Sequence, residues 1–116
     1  MLAHPDNIYL ANFAVDMRKS INGLSELVLE HFGRNPTDSG SYFVFCNKAR
    51  NRMKVLYFDK NGFALWMKRL EQDRFRLHYR NGQVVALDSD QFQWLLSGLD
   101  YAKLQGRKAL KYTEFH

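Results

Sequence analysis

Between Arg74 and Arg80 the cationic or ring-nitrogen side chains of Arg74, Arg76, His78 and Arg80 alternate with Phe75, Leu77 and Tyr79. A strand with this pattern buries one face and shows a basic row on the other. Alternate residues of a strand lie about 6.5–7 Å apart, close to the spacing of successive phosphates, so such a row can follow a nucleic-acid backbone without reading bases. A second group, Lys48, Arg50 and Arg52, crowds the turn between Cys46 and Met53 with no acid to balance it, and Lys54, Lys68 and Arg69 stand on the flanking segments. Basic hairpin tips also protect strand edges from aggregation, which is the blander explanation of that turn. From Asn47 to Arg80 there are ten Lys/Arg against three acids, a net of 10 − 3 = +7; the other residues carry seven bases and nine acids, −2, giving the total of +5. Phosphate contact is the chemistry these residues suit, through release of condensed counterions.

The types needed for catalysis or metal binding are not grouped in the sequence. His4, His31, His78 and His116 are far apart and none has metal-ligand spacing with the lone Cys46. Gly62 and Gly82 belong to turn sequences and are not followed by the Lys-Ser/Thr of a phosphate loop. Asp59, Asp88, Asp90 and Glu114 would have to converge to form a two-metal centre, whereas turn or capping roles account for the first three and Glu114 lies in the tail. No catalytic residue, metal or cofactor is expected, and the chain does not read as an enzyme. Trp66 and Trp94, with Tyr57 and Phe58, are possible base-stacking platforms but suit a core better. Cys46 reads as a small buried hydrophobe.

These side chains need elements to hold them. Residues 7–13 suit a first strand, and Asp16 offers a cap for a helix whose Met17, Ile21, Leu24, Val28 and Phe32 form one apolar stripe ending at Gly33. Arg18 and Lys19 would then sit in a first turn where the macrodipole opposes positive charge by up to about 1 kcal/mol, a placement that a functional contact would explain and a solvated turn would tolerate. Gly23 would mark close approach of that helix to the sheet. Residues 34–41 are loop chemistry, Tyr42 enters the sheet, and Asn61-Gly62 and Asn81-Gly82 signal hairpins, the latter returning residues 83–87 as a last strand. Asp88 and Gln91 start a second helix with Phe92, Leu95, Leu96 and Leu99 along one stripe.

The expected fold is therefore α+β: an antiparallel sheet of about five strands with two main helices packed on one face. Residues 1–101 form a single domain and 102–116 a basic, loosely ordered C-terminal tail. A 46% hydrophobic and 15% aromatic composition excludes a disordered chain, and no apolar run approaches the roughly 18 residues of a membrane span. The first residues lack the pattern of a signal peptide and the single Cys46 forms no internal disulfide, so a cytoplasmic compartment is expected.

Several segments carry a resemblance. Val15-Asp16-Met17-Arg18-Lys19-Ser20-Ile21-Asn22-Gly23-Leu24, Phe43-Val44-Phe45, Lys54-Val55-Leu56-Tyr57, Asn61-Gly62-Phe63, Lys68-Arg69-Leu70-Glu71 with Arg74-Phe75, and Asp90-Gln91-Phe92 to Leu99-Asp100 resemble the accessory protein called TnpB, or second open reading frame, of the insertion-sequence family numbered sixty-six. The match runs from about Ile8 to Tyr101. The sequence departs from the usual pattern where Ala14-Val15 replaces a Gly-Pro and Leu77-His78 stands at a Trp-Pro. The resemblance implies a non-catalytic bacterial protein that assists transposition beside a larger transposase. Joined to the charge pattern, it leaves two readings: a DNA-binding factor that uses Arg18, Lys19, Lys48, Arg50, Arg52, Lys54, Lys68, Arg69, Arg74, Arg76 and Arg80, or an adaptor that binds the transposase and touches DNA little.

Overall fold

The computed structural model describes residues 5–79 and 83–104. Five strands form one sheet: β1 (Asn7–Ala14), β2 (Ser41–Cys46), β3 (Arg52–Asp59), β4 (Gly62–Arg69) and β5 (Val84–Leu87), in the order β4-β3-β2-β1-β5. The α+β class and the strand number follow the sequence pattern. Three of the four pairings are antiparallel, whereas β1 and β2 run parallel, joined by a helical crossover. Parallel neighbours require such a crossover because a tight turn cannot return the chain in the same direction.

That crossover is α1, an α-helix over Ile21–Leu27 that continues as a π-helical turn over Val28–Phe32. Its N-cap is Ser20, so Arg18 and Lys19 precede the helix and meet no macrodipole penalty in a first turn. Asp16, expected as the cap, instead closes a tight turn by accepting from the Arg18 backbone N–H at 2.9 Å. Gly33 ends the helix with φ of 60°, the left-handed conformation a β-carbon disfavours. Gly23 packs against the stem of Lys19 and not the sheet: a β-carbon there would lie 3.3 Å from the Lys19 Cβ. The second helix, α2 (Ser89–Leu96), starts in the anticipated capping box, with Asp88 Oδ1 accepting from Gln91 N and Gln91 Oε1 accepting from Asp88 N, each at 2.8 Å.

The helices occupy opposite faces of the sheet. Along β2, Phe43 and Phe45 face Leu24, Val28 and Phe32 of α1, while Tyr42, Val44 and Cys46 face Phe92 and Leu95 of α2. All six residues of β2 are buried, as a strand covered on both sides must be. Helices on one face alone would have left a solvated sheet surface; the two apolar periods of the central strands exclude that arrangement.

The alternating 74–79 segment is the main departure from the expected fold. It forms no ladder, and β5 pairs with β1 instead. Phe75 and Leu77 nevertheless insert into the α2-side core at 1% and 3% exposure, with Arg74, Arg76 and His78 outside, so the alternation records burial without strand pairing. Arg80, Asn81 and Gly82 lie outside the described residues, as does the tail beyond residue 104; residues 101–104 form a helical turn whose buried Tyr101 joins the same core. The hairpin between β3 and β4 falls as expected, but Lys60, at φ of 54°, adopts the left-handed conformation and Gly62 opens β4. Among the described residues no helix is long and apolar enough to cross a membrane.

Candidate nucleic-acid interface

The loop between β2 and β3 is folded around one side chain. Asn47 Oδ1 accepts from the backbone N–H groups of Asn51 and Arg52 at 3.0 and 3.1 Å, while its Nδ2 donates to Asn51 Oδ1 at 2.8 Å. Arg50 takes the left-handed conformation, φ 61°, at the apex. The 74–79 segment then straps the loop down: Phe75 N donates to Arg50 O at 2.7 Å, the Tyr79 hydroxyl donates to Asn47 O at 2.6 Å, and the Arg50 guanidinium lies 5.3 Å from the Tyr79 ring centroid. Burial pushes the Tyr79 hydroxyl above its ordinary pKa, so it remains a donor. The tip is a positioned loop, held by Asn47 from within and by the 74–79 segment from outside.

Two shallow basic clefts lie beside this tip. The first, about 520 Å³, is bounded by Arg18 of the turn before α1 and by Lys48 and Arg52 of the loop. Arg52 stands directly opposite Arg69 in the β3–β4 register, and both border an adjoining hollow with the exposed Met67. Like charges opposed across a ladder repel, so a bound anion between them gains on both. Arg18 is held by Asp16, whose carboxylate accepts from Nε and Nη2 at 3.0 and 2.7 Å; these hydrogen bonds lower the Asp16 pKa to about 2. Arg69 pairs with Glu71 at 2.8 Å. Both ion pairs are solvent-exposed and therefore exchange readily for another anion.

The second cleft, about 480 Å³, is lined by Arg50, Arg74, Arg76 and His78 together with Asp73 and Asp100. Asp73 lies 3.7 Å from the Arg76 guanidinium, and Asp100 3.1 Å from His78 Nε2. Partial burial raises the Asp100 pKa, but the hydrogen bonds from His78 and from the 102–103 backbone outweigh it and leave the carboxyl below its ordinary value. This cleft is less basic than the row of arginines suggested, because two carboxylates share it.

The sequence-derived residues thus divide. Arg18, Lys48 and Arg52 border one cleft, Arg69 joins Arg52 in the hollow beside it, and Arg50, Arg74 and Arg76 line the other cleft. Lys19 is exposed on the turn beside the first. Lys54 is not on an open sheet face: it is 7% exposed and its ammonium donates to Met17 O at 2.7 Å and Lys19 O at 2.8 Å. Lys68 donates to Leu96 O at 2.8 Å, against the carbonyl end of α2 where a cation is favoured. Trp66 and Trp94 pack on the α2-side core, and Cys46 is fully buried with its thiol pKa raised by desolvation. Asn47 and Tyr79 are the positioning residues that sequence reasoning passed over; an Asn opening a five-residue loop was the available signal for the first.

Charge is separated along the strands. The register puts the 47–51 loop, the end of β1 and the end of β4 at one extremity of the sheet. At the other, Asp6, Asp38, Asp59 and Asp88 stand at or beside strand ends, with Lys60 in the β3–β4 turn beside them. Among the described residues no group of three His, Cys, Asp or Glu side chains is placed to hold a metal ion.

Comparison with known proteins finds a family model, described as IS66 Orf2 like protein, that matches residues 6–106. The chain is 34% identical over 94 residues to the uncharacterized protein y4hO of Sinorhizobium fredii, covering 81% of each chain. It is 32% identical over 104 residues to y4jC of the same organism, also uncharacterized, covering 90% of this chain and 87% of the relative. No solved structure matches.

Proposed function

Because the chain belongs to the IS66 Orf2 like family and its role is accessory to insertion-sequence transposition, we propose that it performs that role by binding the DNA backbone with the basic end of its sheet. One observation carries the reading: Arg18, Lys48, Arg52 and Arg69, from three separate parts of the sequence, converge on one cleft and its adjoining hollow, at the extremity opposite the acidic one. The turn carrying Arg18 and Lys19 is tied to β3 by the Lys54 ammonium, so two of the segments that carry the resemblance, Asp16-Met17-Arg18-Lys19 and Lys54-Val55-Leu56-Tyr57, are joined beneath this surface.

The charge separation would steer the basic end toward a polyanion. Arg50, Arg74 and Arg76, on the other side of the loop, extend the contact to a second stretch of backbone. Contacts to the phosphate backbone carry no base information directly, and sequence preference is accordingly weak. Lys54 and Lys68 serve the scaffold and do not touch DNA.

Titration of duplex DNA at two salt concentrations tests this. Lys48→Ala with Arg52→Ala should lower affinity for unrelated duplexes alike and reduce the slope of log K against log salt by about 0.9 for each phosphate no longer neutralised. A folded double variant with unchanged salt slope would refute the DNA reading of this cleft. Loss of co-purification with the element's transposase, at unchanged DNA affinity, would establish the adaptor function in its place.

A further inference from the structure

The outer edge of β4 has no partner among the described residues. Edge strands are ordinarily guarded by a charge, a proline, a bulge or a short length. From Gly62 to Met67 β4 has none of the first two, and its register with β3 runs without interruption over all eight residues, Gly62–Arg69. Every residue of β4 is at least partly exposed, Met67 at 60%, although β3 beside it is buried over Met53–Leu56. We infer that β4 is an interface with a second copy of this chain, which extends the sheet antiparallel across a two-fold axis at Leu65.

Self-complementarity selects both partner and register. A two-fold axis perpendicular to the sheet keeps each side chain on its own face, so directly opposed residue numbers must sum to an even value. A sum of 130 sets Leu65 against Leu65, Phe63 against Met67 on the α1 side, and Ala64 against Trp66 on the α2 side. Every apolar residue of the edge then meets an apolar one, and Lys68 opposes Gly62, which has no side chain to resist it. A sum of 128 pairs only residues 62–66, because Lys60 and Asn61 belong to the hairpin turn, and one of 132 puts Phe63 against Arg69; both are poorer.

Charge favours the same arrangement. Antiparallel pairing places Lys68 and Arg69 of one copy beside the Gly62 end of the other, away from that copy's own Lys68 and Arg69. A partner strand running parallel to β4 in another copy would align like ends. The two basic ends then face opposite directions along a ten-stranded sheet. The paired residues from Gly62 to Met67 carry no charge, and Met67 among them borders the hollow that Arg52 and Arg69 share, so the second copy sits beside that part of the basic surface.

Sedimentation equilibrium of the full chain at micromolar concentration should give twice the 13.7 kDa chain mass. Met67→Lys, at an exposed position, should leave the circular dichroism spectrum unchanged and shift the mass to that of one chain. Directly opposed residues have Cα atoms about 4.5–5.5 Å apart, within disulfide range. Leu65→Cys should therefore cross-link to itself under mild oxidation, whereas Met67→Cys, displaced from its own copy by about 13 Å, should not. The native chain controls for Cys46, which is buried. A single-chain mass for the native protein, a Met67→Lys variant that stays dimeric, or cross-linking at 67 in preference to 65 would each overturn the assignment.

Discussion

Replacing Lys54 by Met keeps the apolar stem of the side chain and deletes the ammonium that donates to Met17 O and Lys19 O. Hydrogen bonds from a charged donor contribute about 1.5–3 kcal/mol each in buried settings. The two carbonyls here belong to a half-buried and an exposed residue and regain part of their solvation from water, so the net loss for the pair is about 2–3 kcal/mol. At roughly 4 °C per kcal/mol for a domain of this size, thermal unfolding should fall by about 10 °C. Differential scanning calorimetry measures this directly, and urea unfolding should show a lower midpoint with an unchanged m-value. A scaffold lysine and a phosphate ligand respond differently to the same change. Were Lys54 a phosphate ligand, Lys54→Met would change the melting temperature little and reduce the salt slope of DNA binding by about 0.9. A melting temperature within about 2 °C of the native chain would refute the inward role assigned to Lys54.

Tyr79→Phe removes the hydroxyl that donates to Asn47 O and should cost about 1–2 kcal/mol in urea unfolding, with faster amide exchange across the 47–51 loop. Asp88→Ala breaks the capping box of α2 and should cost about 1 kcal/mol, with Asp88→Asn recovering most of it. The Asp16 carboxyl titrates near 2 where an unperturbed one titrates at 3.8, so its contribution to the turn before α1 is complete above the higher value and is lost as pH falls through about 2. A carbon-13 NMR titration of Asp16 checks that window; a midpoint at the ordinary carboxylate value would show that the Arg18 pair is absent in solution.

Local signals were well written in the sequence where they depend on neighbours a few residues apart. The Asp88–Gln91 box, the Gly33 stop, the 59–62 hairpin and the burial of Phe75 and Leu77 each follow from short-range spacing, and the structure repeats them. The concentration of positive charge between Asn47 and Arg80 is likewise a matter of residue type alone. Residue type and period suffice for these because the interactions behind them span one turn or one strand.

Tertiary structure decided which faces and which neighbours those signals served. An apolar stripe says that a helix is covered without saying on which side of a sheet; the two periods of β2, read together only after folding, send α1 and α2 to opposite faces. Alternation at 74–79 reports burial of every second side chain, but hydrogen bonding to a strand depends on what lies alongside, and here the backbone meets the 47–51 loop instead. Lys54 and Lys68 look like Arg52 and Arg69 in composition. Only the chain folded over them turns the first two inward to backbone carbonyls and leaves the others at an open cleft, because a charge takes its role from the groups within a few ångströms and those come from distant sequence.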